Sequence, residues 1–462
     1  MYKMKETKFK STELGPIPEE WEVKPFSECF TLIRNNTYAR ECLTDHPGSV
    51  ANVHYGDVLI KYGAVLDFAK NAVPYLKSDV KPNKDMLRDG DLVFADTAED
   101  EAVGKAVEVQ GLKSRMAVAG LHTVASRPHD GLFAPRYLGY YINSAVYHNQ
   151  LLTLITGTKV SSVSRVGFLS TYVAIPPKGE QERIAETLSD VDALLSAMAT
   201  LIEKKRAIKQ GAMQELLTGK KRLVGFKNSE SSCLCASVLK KDTGVVEGDF
   251  NTETQRRRGT EFKMTEIGLI PEDWEVKRIG DMGQVVTGST PPRKNSANWG
   301  GDFNWISAKD FNGKYISKTE EHITEAGKRF CRLLPENSVL VTCIASIGLN
   351  AITKKVCATN QQINAVVCRV DSPEYLYYQI CYRNGDLKLL AGQTAVPIIG
   401  KKQFEDVLIP VPSLPEQKAI AEVLSDMDAE ISELEAQKAK FESIKQGMMQ
   451  ELLTGKTRLK GV

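Results

Sequence analysis

Several features are scarce or missing in this 462-residue chain, and each absence narrows what it can be. No apolar run approaches the roughly 18–20 residues that a membrane-crossing helix requires. The opening MYKMKETKFK has no apolar core of an export signal, so neither a membrane span nor export is expected, and the cytoplasm is the expected location. The nine cysteines are odd in number and scattered, as in a reducing compartment. The only close pair, Cys233-Leu234-Cys235, lacks a second pair at zinc-site spacing. The six histidines, His46, His54, His122, His129, His148 and His322, show no ligand spacing, so no metal site is expected. A formal net charge of only +2 does not by itself argue for nucleic acid, although clustered basic residues would suffice.

Catalytic motifs are missing too. Gly455-Lys456-Thr457 resembles the end of a phosphate-binding loop, but Gln450 stands where the earlier glycine belongs, and the segment ends a helix instead of starting one. No dinucleotide fingerprint follows a strand. No Asn/Asp-Pro-Pro-Tyr/Phe motif, which an amino-methyltransferase uses to hold a flipped base, occurs. No Ser, His and Asp set suggests itself. Two large regions without a catalytic constellation favour binding over catalysis, so the chain is not expected to be an enzyme on its own.

What is present is repetition. Residues Glu180 to Leu223 and Glu416 to Leu459 align without a gap, and about 26 of 44 positions are identical. Both copies read as long helices. Ile184, Leu188, Val191, Leu195, Met198 and Ile202 keep a 4,3 spacing. So do Ile420, Leu424, Met427, Ile431, Leu434 and Phe441, continued by Met448 and Leu452 and interrupted by Lys438 and Lys445. That period is a coiled-coil seam, narrower than the stripe of a surface helix. Pro415 suits a first turn, and Ser413 with Glu416 has capping-box spacing. Gly219 and Gly455 sit where a left-handed cap would end each helix. About 38 helical residues at ~1.5 Å each span ~57 Å, more than one turn of duplex DNA at ~34 Å. Identity is concentrated at the ends of the pair while the middle keeps only the seam. Drift alone would scatter the changes, so the ends are expected to dock identical partners, through Gln210, Gln214 and Glu215 and their equivalents Gln446, Gln450 and Glu451.

A second repeat precedes each globular stretch. Thr12-Glu13-Leu14-Gly15-Pro16-Ile17-Pro18-Glu19-Glu20-Trp21-Glu22-Val23-Lys24 is matched by Thr265-Glu266-Ile267-Gly268-Leu269-Ile270-Pro271-Glu272-Asp273-Trp274-Glu275-Val276-Lys277. The offset is 253 here and 236 at the helices, so the second interior is 17 residues shorter. The tag's carboxylates are crowded into one turn. True nuclease carboxylates usually lie on neighbouring strands, so a structural clasp against the helices is expected instead. The plan is a tag and globular region over 1–175, a helix over 176–223, a polar linker with Arg256-Arg257-Arg258 over 224–263, a second tag and globular region over 264–411, and a second helix over 412–462.

The interiors mix strands and helices, giving an α+β chain. Strands are expected at Asp57–Ile60, Asp91–Phe94 and Tyr172–Ile175, then at Ser338–Val341, Ala365–Cys368 and Asp406–Ile409. Helices are expected over Pro135–Leu154 and Pro373–Leu390. Between tag and helix the two interiors do not align. Both carry polar, loop-like stretches of DNA-contacting residue types. In the first these are His122 and Thr123, then Thr158, Lys159, Ser161, Ser162, Ser164 and Arg165. In the second they are Ser289, Thr290, Arg293 and Lys294 ahead of Trp299 and Trp305, then Asn360, Gln361, Gln362 and Thr394. Arg and Lys pair with guanine, Asn and Gln with adenine, and hydroxyls with phosphate. Taken singly, such residues are most often turn chemistry.

The combination resembles the specificity subunit of type I restriction-modification systems over almost the whole chain. Its carriers are Gly15-x-Ile17-Pro18-x-x-Trp21 and Gly268-x-Ile270-Pro271-x-x-Trp274, then Pro176-Pro177-x-x-Glu180-Gln181-x-x-Ile184-Ala185 and Pro412-x-x-Pro415-Glu416-Gln417-x-x-Ile420-Ala421, and the shared helix ends. Gly288-x-Thr290-Pro291, Asn304-Trp305-Ile306, Leu334-Pro335-x-x-Ser338-Val339 and Thr359-Asn360-Gln361 look like a family target-recognition domain. Val53-His54-Tyr55-Gly56-Asp57, Phe94 to Asp100 and Gly120 to Thr123 look like a different subtype. The resemblance implies two α/β-type target-recognition domains, each followed by a long helix, with the helices paired as an antiparallel coiled coil. It implies that each domain reads one half of a split target in double-stranded DNA. Two methyltransferase subunits using S-adenosylmethionine would dock on the helices, and two motor-nuclease subunits would bring ATP and Mg2+ chemistry. No cofactor would belong to this chain. The specificity chain of a fused restriction-modification enzyme is the near alternative, and a coiled-coil scaffold with protein-binding domains the distant one. Antiparallel pairing of like helices creates a pseudo-two-fold axis, so one chain would present two equivalent docking faces. Because the interiors differ, the half-sites are expected to differ.

Overall fold

The computed structural model describes residues 7–82, 85–157, 160–226, 261–392 and 396–459. Thr158, Lys159, Thr394, the Cys233-Leu234-Cys235 pair, Arg256 to Arg258 and nearly all of the linker lie outside the described residues. The chain forms two compact units, residues 1–200 with 435–462, and residues 201–434. Each therefore contains one globular region, the start of the helix that follows it, and the end of the other long helix.

In the first unit the tag is a hairpin, Phe9–Thr12 against Gly15–Pro18. Gly15 supplies the positive φ, 84°, that the tight turn needs. Glu22–Pro25 then pairs antiparallel with Tyr172–Ile175, tying the two ends of the globular region together. The central sheet runs in the order Phe30–Ile33, Thr123–Pro128, Leu92–Ala95, Ala106–Gln110, Val65–Asp67, with only the last pair parallel. Leu92 to Ala95 is buried on both faces, which explains its unbroken apolar run. Trp21, Phe26, Phe94, Tyr141 and Tyr147 share one core with Ile184 and Leu188 from the first long helix and Leu452 and Leu453 from the second.

The second unit repeats this plan. Its hairpin is Phe262–Thr265 against Gly268–Pro271, and Glu275–Arg278 pairs with Leu408–Val411. Its sheet runs Gly283–Thr287, Ile363–Cys368, Val339–Thr342, Asn350–Thr353, Tyr315–Ile316, again with only the last pair parallel. Trp274, Tyr375 and Phe404 share a core with Ile420 and Leu424 and with Met213, Leu216 and Leu217. Each unit also carries a smaller sheet built on a parallel pair, Met116–Ala119 with Val50–Val53 in the first and Ile306 beside Thr359 in the second. The interiors, which do not align as sequence, thus share strand order and strand sense.

Four expected elements differ from the structure, among them the helix expected over Pro373–Leu390, which is two, Pro373–Tyr382 and Asn384–Leu390, broken at Arg383. Asp57–Ile60 is the end of a helix, Tyr55–Ile60, because the His54 ring accepts the Gly56 N–H at its start. The helix expected over Pro135–Leu154 is two, Tyr137–Ile142 and Ala145–Leu152. Between them the Asn143 amide bonds the Ala106 carbonyl and accepts the Ala106 N–H, so the side chain docks on the sheet and breaks the helix. The last strand starts at Leu408, not Asp406, because a short helix, Lys401–Glu405, occupies the preceding turn.

The long helices are Lys178–Leu216 and Leu414–Leu452. Of the seam residues, Ile184, Leu188, Met198, Ile202, Ile420, Leu424 and Ile431 are buried, and Val191, Leu195, Met427, Leu434 and Phe441 are half-buried. The pairing is antiparallel within each unit. In the first, Asp192 meets Lys445 at 2.5 Å while Glu180 meets Arg458. In the second, Lys205 meets Glu430 at 2.5 Å, Lys209 meets Asp428, and Arg222 meets Glu416. Lys445, a seam interruption, is thus neutralised across the pair, whereas Lys438 bonds Glu442 of its own helix. Among the described residues, no helix is long and apolar enough to cross a membrane.

Candidate nucleic-acid interface and the clasps behind it

Each globular region is locked to the helices by a clasp that the sequence repeat builds twice. In the first unit, Glu180 at the start of its helix accepts the Trp21 indole N–H at 3.1 Å and two Arg458 N–H groups at 2.6 Å. Arg458 also reaches Glu20 at 3.0 Å. In the second, Glu416 accepts Trp274 at 3.2 Å and two Arg222 groups at 2.6 Å, and Arg222 forks onto Asp273 at 2.8 and 3.0 Å. Burial pushes the Glu416 carboxyl up, and Arg222 pulls it back only in part. With both oxygens engaged here, Glu416 does not make the capping box expected with Ser413. The neighbouring glutamine performs a second task. Gln181 accepts the Ala134 N–H and donates to Pro176, and Gln417 accepts the Ser372 N–H and donates to Pro412. Each holds the loop that leads into its region's own helices.

The helix-end glycines complete the clasp. Gly219 and Gly455 both have φ of 70°. A Cβ on Gly219 would lie 2.4 Å from Pro271, and one on Gly455 would lie 2.3 Å from Pro18. These positions therefore need glycine for conformation and for space.

Further along, Tyr140 donates to Asp192 at 2.8 Å and Tyr378 to Asp428 at 2.7 Å, and each aspartate also meets the lysine of the other helix. Much of the identity between helix ends is thus spent on internal contacts. Among the positions that are identical and exposed in both copies, one stripe is Lys204, Ile208, Gly211, Gln214 and Glu215, with its copy Lys440, Ile444, Gly447, Gln450 and Glu451. Gln210 and Gln446 flank it and are exposed too.

At the loop end of the first region, His122, Ser161, Ser162, Ser164 and Arg165 lie on neighbouring loops. Ser161–Ser162 pairs with Thr97–Ala98, and the Asp96 N–H donates to the His122 carbonyl. His122 has φ of 52°, is half-exposed and packs edge-on against Tyr55. Arg165, exposed, donates to the Asn35 side-chain Oδ1 at 2.8 Å, and the Asn35 Nδ2 donates to the Gly120 carbonyl. Ser164 caps the short helix Arg165–Leu169 through Gly167. Thr123 is buried and its hydroxyl donates to Gly120, so it takes no part in the exposed face. Tyr55, Asn35 and Asp96 belong to this face and were not expected. An aromatic residue after His54 was the available signal.

In the second region, Ser289 and Thr290 lie against the strand end at Thr359. Ser289 N–H donates to the Thr359 carbonyl, and the Trp305 indole donates to the Ser289 carbonyl at 3.1 Å. Thr290 donates to Gln361 at 2.5 Å. Asn360 is buried, with its amide bonded to Gln362, and so supports the loop from beneath. Lys294 is exposed. The Arg293 guanidinium lies 4.0 Å from the Trp299 ring centroid and 4.9 Å from that of Trp305, and forks onto Glu321, whose carboxyl is held below its ordinary range by those hydrogen bonds. Glu321 had no sequence signal, since it joins the loop only through the strand pairing of Trp305 with Glu321.

Comparison with known proteins agrees with this architecture. Residues 271–442 match the family model described as the type I restriction modification DNA specificity domain. A protein of Methanocaldococcus jannaschii assigned as the type I restriction enzyme MjaX specificity subunit is 27% identical over 99% of this chain and 98% of its own length. The MjaIX specificity subunit of the same organism is 40% identical over 40% of this chain and 45% of its own. A solved chain, from work on complex assembly and conformational transition of the type I R-M system, superposes with a TM-score of 0.54 at 16% identity, covering 96% of this chain and 99% of that one, and shares the fold. With the duplicated frame and the paired helices, these matches make the chain similar, over nearly its whole length, to specificity subunits of type I restriction-modification systems.

Proposed function

We propose that each globular region reads one half of a two-part DNA target, and that the paired helices both separate the halves and carry the partners. The chain is the non-catalytic specificity subunit. S-adenosylmethionine, ATP and Mg2+ belong to the methyltransferase and motor-nuclease subunits that join it. The observation that carries this reading is the doubled clasp: two regions of one topology are fixed to antiparallel helices by the same residues, yet present different loops. Equivalent frames with unlike loops suit a target whose halves differ. The exposed stripe around Ile208 and Ile444 supports two identical docking events, because both isoleucines are large, apolar and exposed at equivalent positions.

Co-expression with an adjacent adenine methyltransferase, followed by methylome sequencing, tests this. A two-part motif with one methylated adenine on each strand is expected. A one-part motif, or none, would overturn the reading. Ile208→Glu with Ile444→Glu should abolish co-purification of the methyltransferase while leaving the melting temperature of the chain within a few degrees.

A further inference from the structure

We propose that the second region reads a guanine through the Nε–Nη2 edge of Arg293, with Glu321 as the group that confines this arginine to a base. The inference rests on reading the region as a DNA reader. Arg293 has five N–H donors in one plane. Its Nη1 and Nη2 face Glu321 end-on, with Nη2 at 2.9 Å. Trp299 and Trp305, perpendicular to each other, bracket the guanidinium at 4.0 and 4.9 Å, and the two-point fork onto Glu321 sets its direction. Among the described residues, Nε–H has no hydrogen-bond partner, and the side chain is 52% exposed. One two-donor edge is thus left open, and a fork of that shape fits guanine O6 and N7.

A phosphate would use the same donors, but charge decides between them. Glu321 neutralises the arginine, so the pair offers a phosphate little net attraction and brings a carboxylate close to it. A guanine edge is neutral, so it keeps the hydrogen bonds without that penalty. The guanidinium, held by Glu321 and bracketed by two indoles, also has few rotamers left to lose, which favours discrimination over mere attraction. Thr290 with Gln361, bonded to each other beside this loop, holds the adjoining surface.

The test uses the assembled methyltransferase complex, with methylome sequencing and DNA binding across a salt series. Arg293→Ala and Arg293→Lys should each make one G·C position degenerate in one half-site, with roughly 5- to 150-fold less discrimination there, and leave the other half-site intact. Lysine keeps the charge but loses the planar fork, so its failure to restore the position separates geometry from charge. Glu321→Gln should raise non-specific binding and steepen its salt dependence. An unchanged motif in both Arg293 variants overturns the proposal. So does a uniform loss of affinity with a shallower salt slope, which would mark a phosphate contact. A wild-type complex with no two-part motif removes the underlying reading and the proposal together, whereas a two-part motif insensitive to Arg293 removes the proposal alone.

Discussion

Arg458 and Glu180 have side chains only 6% and 3% exposed, so their pairing is judged by what remains when one is lost. Arg458→Ala leaves a buried carboxylate with only the Trp21 indole, and a loss of about 3–5 kcal/mol is expected. Glu180→Gln in the same chain should recover part of it, because the stranded group is then neutral. Denaturant unfolding of the two single variants and the double variant measures the coupling, and additive losses would contradict the clasp. Glu108 is the other residue with a readable consequence. Burial pushes its carboxyl up to about 7, against hydrogen bonds from the Gly139 and Arg136 N–H groups and the Gln110 amide. The folded state therefore holds this proton more tightly than the unfolded state, whose value is near 4.5. Stability from this group is highest below about pH 4.5, falls as pH rises through 7, and levels off above, a total of about 3 kcal/mol. In Glu108→Gln the stability-against-pH curve should flatten over that window; a slope equal to wild type would show that Glu108 stays ionised.

At the scale of elements, the seam shows what sequence can and cannot reveal. Its apolar period was visible because helical spacing is local, and the buried Ile184, Leu188, Ile420 and Leu424 follow it. The roles of Asp192 and Lys445 were not visible, since each is defined by a partner 253 residues away. The same holds for the matched five-stranded sheets, whose order is set by pairings such as Ala125 with Val93 and Ala365 with Leu340. No local pattern encodes those pairings, and the sheets survive complete change of the loops. Asp57–Ile60 shows the opposite failure: an apolar β-branched run suggested a strand, but the His54 cap decided for helix. Among the candidate loop residues, Arg293 and His122 are picked out by composition, whereas the placement of Glu321 and Asn35 beside them requires the fold. The cross-helix pair itself is testable. Asp192→Lys sets two lysines together and should cost about 1 kcal/mol or more, and adding Lys445→Asp should return roughly half of it. The recovery is partial because Tyr140 loses its acceptor. Full additivity in the thermal melts would mean that this pair contributes nothing to helix orientation.

For the whole molecule, the two cores are the decisive fact. Trp21 and Trp274 lie in separate apolar clusters, each of which closes on both long helices without a residue from the other. The frame of one region therefore does not depend on the contents of the other. Replacing residues 26–175 with the corresponding interior of a related specificity subunit, while keeping Glu20, Trp21, Glu180 and Arg458, leaves the Glu180 contacts with Trp21 and Arg458 in place, and the incoming interior supplies the partners of Gln181 and Asp192. The junctions fall after Pro25 and after Ile175, where the strand pair already joins the ends of this interior. Methylome sequencing of the exchanged chain with its methyltransferase should then show one altered half-site, one unaltered half-site and an unchanged number of base pairs between them. The spacing should persist because neither long helix has been edited. Alteration of both half-sites would mean that the two readers are coupled, and the separation of their cores would then be no guide to how the chain reads DNA.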